Sequence, residues 1–198
     1  MSVNAYLTED ERARLERAVV GIAGAGGLGS NVAAHLVRAG VRRLVIADFD
    51  VVSPSNLNRQ FFFRDQIGRR KVDALAENLR RIDPGLDLAL HDVRLGAANL
   101  QSLFCGCDVV VEAFDSVESK SALLSALRER PVVSASGLAG WGSSNKMKVR
   151  RAGRNLVLVG DCSSDIRSGL APQSARVGIA AAMQANAVLA LLLGHPDL

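Results

Sequence analysis

A glycine-rich segment between two apolar runs constrains this chain more than any other feature. Segment 24–29, Gly-Ala-Gly-Gly-Leu-Gly, follows the apolar run Val19–Ala23 and begins a stretch to residue 39 with apolar side chains at helical spacing. A second apolar run, 43–48, completes a strand–helix–strand unit of about 30 residues. Such glycines let the backbone approach a phosphate, and the helix N-terminus offers free N–H groups. The pattern predicts nucleotide binding.

The rest of the chain continues the alternation of strands and helices. A capping box at Thr8 and Glu11 predicts a first helix, which runs to about residue 17. Further helices are predicted at residues 70–82, 97–104, 116–128 and 177–193. Further strands are predicted at residues 86–93, 109–113, 131–135 and, as an antiparallel pair, 146–151 and 156–159. The order predicts one domain, 1–198, with a doubly wound, mostly parallel, Rossmann-like α/β sheet and an antiparallel pair near the C-terminus.

Composition and charge exclude several classes of protein. Hydrophobic residues make up 48% and charged residues 22% of the 198, which is ordinary for a globular protein and excludes a disordered or collagen-like chain. A net charge of +4 is too small to indicate a nucleic-acid partner. We expect no secretory signal, because no basic region precedes an apolar run at the N-terminus. Three cysteines suit a reducing cytosol, so we expect a cytoplasmic protein.

The most apolar segment, 177–193, is interrupted by Gln184 and Asn186. It is at the lower length limit of a membrane span. We therefore expect a buried core helix and no association with a membrane.

A polar cluster after the second predicted strand indicates which nucleotide is bound. Segment 53–60 reads Ser-Pro-Ser-Asn-Leu-Asn-Arg-Gln, and segment 68–71 reads Gly-Arg-Arg-Lys. Arginine and lysine neutralise phosphate charge, as a triphosphate requires. An NAD-dependent oxidoreductase remains an alternative, but it does not explain this cluster. The cluster favours ATP.

Three aspartates follow predicted strands, where the ligand of an open α/β sheet lies. Asp48 ends the second strand and is placed to accept hydrogen bonds from ribose hydroxyls. Asp50 lies close behind it, and Asp115 follows the third buried strand. Asp115 could alternatively serve as the N-cap of the next helix.

These motifs together resemble the ThiF/MoeB family of the ubiquitin-activating superfamily. The resemblance covers about residue 19 to the end of the chain, and segments 47–52 and 134–140 are most similar to the short form of ThiF. It implies ATP-dependent adenylation of the C-terminal Gly-Gly carboxylate of a small ubiquitin-like sulfur carrier, ThiS of thiamine biosynthesis. Other implied substrates are a molybdopterin carrier or a tRNA-linked carboxylate, although the sequence has no aromatic and basic patch for nucleic acid. A homodimer is also implied.

The resemblance assigns roles to individual residues. It implies catalytic roles for Arg59, Lys71 and Asp115, with Mg²⁺ bound by Asp115. The ATP-binding residues that it implies are Gly24, Gly26, Gly27, Gly29, Asp48, Asp50, Ser55, Asn56, Arg59 and Lys71. A non-catalytic half of a heterodimer would not need so complete a set.

The chain departs from the family pattern in its cysteines and its N-terminal arginines. Many relatives bind zinc through two C-x-x-C pairs, whereas Cys105 and Cys107 form C-x-C and Cys162 stands alone, so we expect no zinc. Cys162 is either a functional or an incidental thiol. The N-terminal arginines are either solvated or inserted into a partner subunit's site; they are Arg12, Arg14 and Arg17.

Overall fold

Seven strands form one sheet in a computed structural model that describes residues 6–165 and 169–195. The strands are β1 Val19–Ala23, β2 Arg43–Ala47, β3 Asp87–His91, β4 Val109–Glu112, β5 Val132–Ala135, β6 Lys148–Arg151 and β7 Leu156–Gly160. Their order is β3-β2-β1-β4-β5-β7-β6, and every pair is parallel except β6 with β7. The predicted mostly parallel sheet with a C-terminal antiparallel pair is confirmed.

Helices cover both faces of this sheet. They are α1 Glu9–Arg17, α2 Gly27–Ala39, α3 Lys71–Arg80, α4 Leu100–Phe104, α5 Val117–Ala126 and α6 Ser174–Leu193. On one face, side chains of α1, α2, α3 and α6 pack with Val20 and Ile22 of β1. On the other face, α4 and α5 pack with Val110 of β4. The alternation along the strands thus divides the core into two layers, as in a doubly wound fold.

Three predicted helices are shorter than the apolar spacing indicates, including the one predicted at 116–128, which spans Val117–Ala126. The helix predicted at 97–104 begins only at Leu100, because the Gly96 N–H donates to Asn99 Oδ1 (3.0 Å) and closes a turn there. The helix predicted at 70–82 spans Lys71–Arg80, and the chain then turns before Pro84. Proline disfavours helical backbone at the residue before it, Asp83, so the helix does not continue beyond this turn.

Helix α6 is long and apolar enough to cross a membrane by length and composition alone. Here one of its faces is buried in the core, through Val177, Ala181 and Val188 among others, and it packs against α2. Gln184 is also buried, and its Nε2 donates to the carbonyls of Glu112 and Val133. Gln184, which interrupts the apolar run, therefore joins the helix to strands β4 and β5 by hydrogen bonds.

Candidate functional site

The glycine-rich turn between β1 and α2 is too tight for side chains at two positions. Gly24 has a φ of 101°, and a Cβ there would lie 3.0 Å from the carbonyl oxygen of Ala113. A Cβ on Gly29 would overlap the carbonyl oxygen of Gly24. Glycine is therefore required for this turn, and the turn touches the chain just after β4.

The N-terminus of α2 presents unpaired donors. Its N-cap, Gly26, has no side chain to accept a hydrogen bond. Among the described residues, the N–H groups of Gly27 and Leu28 find no acceptor. The positive end of the helix dipole adds to these donors. The turn can bind an anion, as its sequence predicted.

Asp48 fastens this turn to the end of β2. Its Oδ2 accepts the N–H of Ala25 (2.6 Å), and its Oδ1 accepts the N–H of Asp50 (2.8 Å). Burial raises the pKa of Asp48, and the charge of Lys71 opposes that rise. Each carboxylate oxygen can still accept from a ribose hydroxyl, since each has a second lone pair.

Lys71 begins α3 at the same edge of the sheet. Its side chain is 7% exposed, and its Nζ lies 2.7 Å from Oδ2 of Asp50, whose side chain is 46% exposed. The backbone N–H of Lys71 also donates to the carbonyl of Asp50 (2.9 Å). The structure therefore brings Lys71, Asp50 and Asp48 together, although Lys71 and Asp50 are 21 residues apart in the chain.

Arg59 lies over the glycine turn. Its Cγ is 3.5 Å from where a Cβ on Gly27 would stand, and its carbonyl accepts from Nδ2 of Asn31 in α2 (2.9 Å). The guanidinium donates to the carbonyl of Ser55 (3.2 Å) and to Oδ1 of Asn58 (2.7 Å). With Lys71, it gives this edge of the sheet two cations beside the carboxylates of Asp48 and Asp50.

Ser55 and Asn56 shape the turn that carries Arg59. Oδ1 of Asn56 accepts the N–H of Ser53 (3.0 Å), and the hydroxyls of Ser53 and Ser55 lie 2.9 Å apart. The N–H of Arg59 then donates to the carbonyl of Asn56 (3.1 Å). The observed contacts of both residues thus hold the loop, and any contact of theirs with a ligand stays a prediction.

Asp115 is exposed and follows β4 by three residues. The alternative that Asp115 caps α5 is wrong, because the N-cap is Ser116, whose Oγ accepts the N–H of Ser119 (3.1 Å). Across the described ranges 6–165 and 169–195, the Asp115 carboxylate has no hydrogen-bond or ion-pair partner. Ala113, two residues earlier, touches the glycine turn.

A buried ion pair that the sequence analysis missed holds the segment bearing Asp115. Glu112 is fully buried, and its carboxylate accepts from Nζ of Lys120 (3.0 and 2.9 Å) and from Oγ of Ser134 (2.5 Å). It also accepts the N–H of Phe114 (2.7 Å). The only signal in the sequence is an acidic residue at the end of an apolar strand.

A second buried ion pair joins the loops that follow β5 and β7. Arg176 of α6 pairs with Asp161 and donates to the carbonyl of Gly142 (2.7 Å). Burial alone would raise the pKa of Asp161, but the N–H groups of Ser164 and Ser163 and the guanidinium hold it well below its usual range. The adjacent Cys162 is exposed and has a φ of 55°.

The other two cysteines differ in exposure. Cys107 is buried, which raises the pKa of its thiol to about 12, whereas Cys105 is exposed. Among residues 6–165 and 169–195, no three His, Cys, Asp or Glu side chains are grouped as metal ligands.

The N-terminal arginines contact their own chain or solvent. Arg12 donates to the carbonyl of Leu7 (3.3 Å) and Arg14 to that of Leu193 (2.8 Å), while Arg17 is exposed.

A known protein family matches this chain over almost its whole length. The ThiF family model matches residues 2–198. The chain belongs to the ThiF family. This ThiF-family chain is 37% identical over 127 residues to "Adenylyltransferase and sulfurtransferase MOCS3" of Caenorhabditis briggsae, covering 63% of this chain and 32% of that protein. It is 36% identical over 112 residues to "Probable adenylyltransferase/sulfurtransferase MoeZ" of Mycobacterium tuberculosis, covering 56% and 29%. It spans about a third of the length of these relatives.

Solved structures share the fold of this ThiF-family protein. The Escherichia coli tRNA N6-threonylcarbamoyladenosine dehydratase TcdA, in complex with ATP, superposes with a TM-score of 0.85 at 22% identity, covering 94% of this chain and 90% of that one. E. coli MccB with ATP superposes with a TM-score of 0.71 at 20% identity, covering 92% and 57%. At these identities the likeness concerns the fold.

Proposed function

We propose that this protein is an ATP-dependent adenylyltransferase that activates the C-terminal carboxylate of a small ubiquitin-like carrier protein. The observation that carries the proposal is the meeting, at one edge of the sheet, of a helix N-terminus with unpaired donors and two cations, Arg59 and Lys71. Hydride transfer from a nicotinamide cofactor would not need these cations. Membership of the ThiF family and the names of the adenylyltransferase relatives support the same reaction.

In this proposal each group of residues has a separate task. The glycine turn binds phosphate through backbone N–H groups, and Asp48 accepts from the ribose hydroxyls. Arg59 and Lys71 neutralise the triphosphate. Lys71 would exchange at least part of its contact with Asp50 for one with phosphate, since an ammonium has three donors.

The reaction needs charge stabilisation more than proton transfer. The carrier carboxylate is ionised at neutral pH, so no general base is required. One carboxylate oxygen forms a bond to the α-phosphorus, and the bond from that phosphorus to the oxygen bridging to the β-phosphorus breaks. The products are an acyl-adenylate and pyrophosphate. Arg59 and Lys71 stabilise the charge of the transition state and of the leaving pyrophosphate.

The carboxylates of the site are compatible with Mg²⁺ bound together with nucleotide. Asp115 is exposed and has no partner in the described part of the chain, whereas Asp50 is paired with Lys71. Mg²⁺ in nucleotide sites is commonly held by one or two carboxylates, substrate phosphates and water. Asp115 would hold the ion, which would supply further neutralisation of phosphate charge.

The carrier that we propose is ThiS-like, with a C-terminal Gly-Gly, and the enzyme is a homodimer. The similarity of segments 47–52 and 134–140 to the short form of ThiF supports this choice. The names of the relatives support two alternatives, a carrier used by a MOCS3- or MoeZ-type enzyme and a tRNA-linked carboxylate as the name TcdA indicates.

The nucleotide is tested by thermal unfolding with ATP and Mg²⁺ or with NAD. A ligand that binds only the native state raises the melting temperature by mass action. We expect a clear rise with ATP and a much smaller one with NAD at equal concentration. A larger rise with NAD would contradict the adenylation proposal and favour an oxidoreductase.

A further inference from the structure

Gln60 lies against the glycine turn, directly after Arg59. Its side chain is buried, with the residue 9% exposed, and its Nε2 is 3.8 Å from where a Cβ on Gly26 would stand. The backbone is fixed on both sides: the Gln60 N–H donates to the carbonyl of Asn56 (2.9 Å), and its own carbonyl accepts from Phe62 (2.8 Å). The carboxamide is therefore held at the turn with its amide nitrogen toward Gly26.

The polar atoms of this carboxamide lack partners. Oε1 is buried and accepts no hydrogen bond. Nε2 is accessible to solvent and has no acceptor among the described residues. Gln66 is different: it is 1% exposed, and its amide exchanges hydrogen bonds with that of Asn78 (2.8 and 3.0 Å). An unpaired buried amide oxygen destabilises the folded chain, and an apolar side chain of the same size would not. Gln60 thus contributes nothing to the fold that requires an amide.

The surroundings of Nε2 attract an anion. Gly26 is the N-cap of the 13-residue helix α2, the next N–H groups are unpaired, and the Arg59 side chain crosses the same turn. A neutral amide donor at this point adds to the N–H donors that an anion at the turn would meet. An amide also adds no charge to a site that already has two cations.

We propose that Gln60 donates a hydrogen bond from Nε2 to the phosphate bound at the glycine turn and is a nucleotide-binding residue. This inference rests on the proposed function, since it needs ATP at the turn. It gives an acceptor to a side-chain amide nitrogen that has none in the described part of the chain. It also gives the site a way to recognise phosphate that is independent of charge.

The test compares Gln60→Met and Gln60→Glu with the wild-type protein. Methionine keeps the size of the side chain and removes the donor, so the unliganded melting temperature should stay equal or rise. The Kd for ATP should rise about tenfold or more, while that for adenosine, which has no phosphate, should change less than twofold. Glutamate places a carboxylate among the donors, so Gln60→Glu should weaken ATP binding further.

Gln66→Met is the matched control. It breaks the pair with Asn78, so it should lower the melting temperature and leave the Kd for ATP of the folded protein unchanged. Gln60→Met binding ATP as tightly as wild type would overturn the inference and leave the proposed function intact. Equal losses for ATP and adenosine would also overturn it, by indicating a structural role. A wild-type protein that binds no ATP would contradict the proposed function itself.

Discussion

Lys71 and Asp50 form an ion pair in which the cation is buried and the anion is half exposed. The Lys71 side chain is 7% and the Asp50 side chain 46% exposed, with Nζ and Oδ2 2.7 Å apart. Asp50 is therefore the counter-ion of an ammonium that lies in a largely desolvated place. Its own charge is still partly solvated without Lys71. The two residues should respond differently to substitution.

Asp50→Asn should destabilise the protein more than Lys71→Met. The first change leaves a buried ammonium with only the charge of Asp48 nearby. It should lower the free energy of unfolding by about 1–3 kcal/mol, below the range for fully buried pairs because Asp50 is half exposed and Asp48 remains. The second removes the buried charge and should change the free energy of unfolding by less than about 1 kcal/mol. Urea unfolding measures both. An equal decrease in the free energy of unfolding of the two variants would show that the burial of Lys71 does not determine how much stability is lost.

Arg59 and Asp48 should affect different kinetic constants. Arg59→Ala, like Lys71→Ala, removes transition-state charge stabilisation and should lower kcat by a factor on the order of 10². Ribose does not change charge in the reaction, so Asp48→Ala should act chiefly on KM for ATP. Pyrophosphate exchange into ATP measures both constants. Wild-type exchange rates in Arg59→Ala and Lys71→Ala would contradict the phosphate assignments.

The buried pair of Glu112 and Lys120 should matter for stability and for activity. Glu112→Gln leaves the Lys120 ammonium without its counter-ion, which should lower the free energy of unfolding by about 3 kcal/mol. It also weakens the anchor of the segment that bears Asp115, so exchange activity should fall. Glu118→Gln, at an exposed position of α5, is the control and should change both by little. Equal changes in the free energy of unfolding and in exchange activity for Glu112→Gln and Glu118→Gln would contradict the role of Glu112 as an anchor.

Asp161 should make stability depend on pH at the acidic end. Its folded-state pKa is held below that of the unfolded chain, so its contribution is complete above the unfolded pKa of about 4. The contribution decreases as the pH falls from there toward the depressed folded pKa, by about 1.4 kcal/mol per pH unit. Asp161→Asn should cost about 3 kcal/mol at pH 7 and clearly less at pH 3. Urea unfolding of both proteins at the two pH values should therefore show a narrowing difference, and an unchanged difference would contradict the assignment.

The strands, several helices and the glycine turn follow closely from local sequence. Apolar runs and helical spacing act over a few residues, so β1, α2 and the antiparallel pair β6–β7 could be predicted with nearly correct bounds. The meeting of Asp48 with Lys71 could also be expected, because the resemblance to the ThiF/MoeB family assigns both residues to the ATP site.

The remaining parts of the site depend on contacts that sequence spacing does not encode. Asp161 and Arg176 come from different elements, and neither lies in a motif. Both Asp115 and Ser116 are of residue types that favour the N-cap position. The backbone after β4 therefore decides which of them begins α5. Gln60 lay within the motif segment, but only its burial without a partner distinguishes it.

Pyrophosphate exchange into ATP in the presence of a ThiS-like carrier tests the adenylation proposal most directly. We expect exchange with a carrier that ends in Gly-Gly and none with the same carrier lacking its last glycine, because the shortened carboxylate would not reach the α-phosphate. Exchange at the same rate with both carriers would contradict carboxylate activation. No exchange with the ThiS-like carrier, a molybdopterin carrier or a tRNA-linked carboxylate would contradict the proposed reaction as a whole.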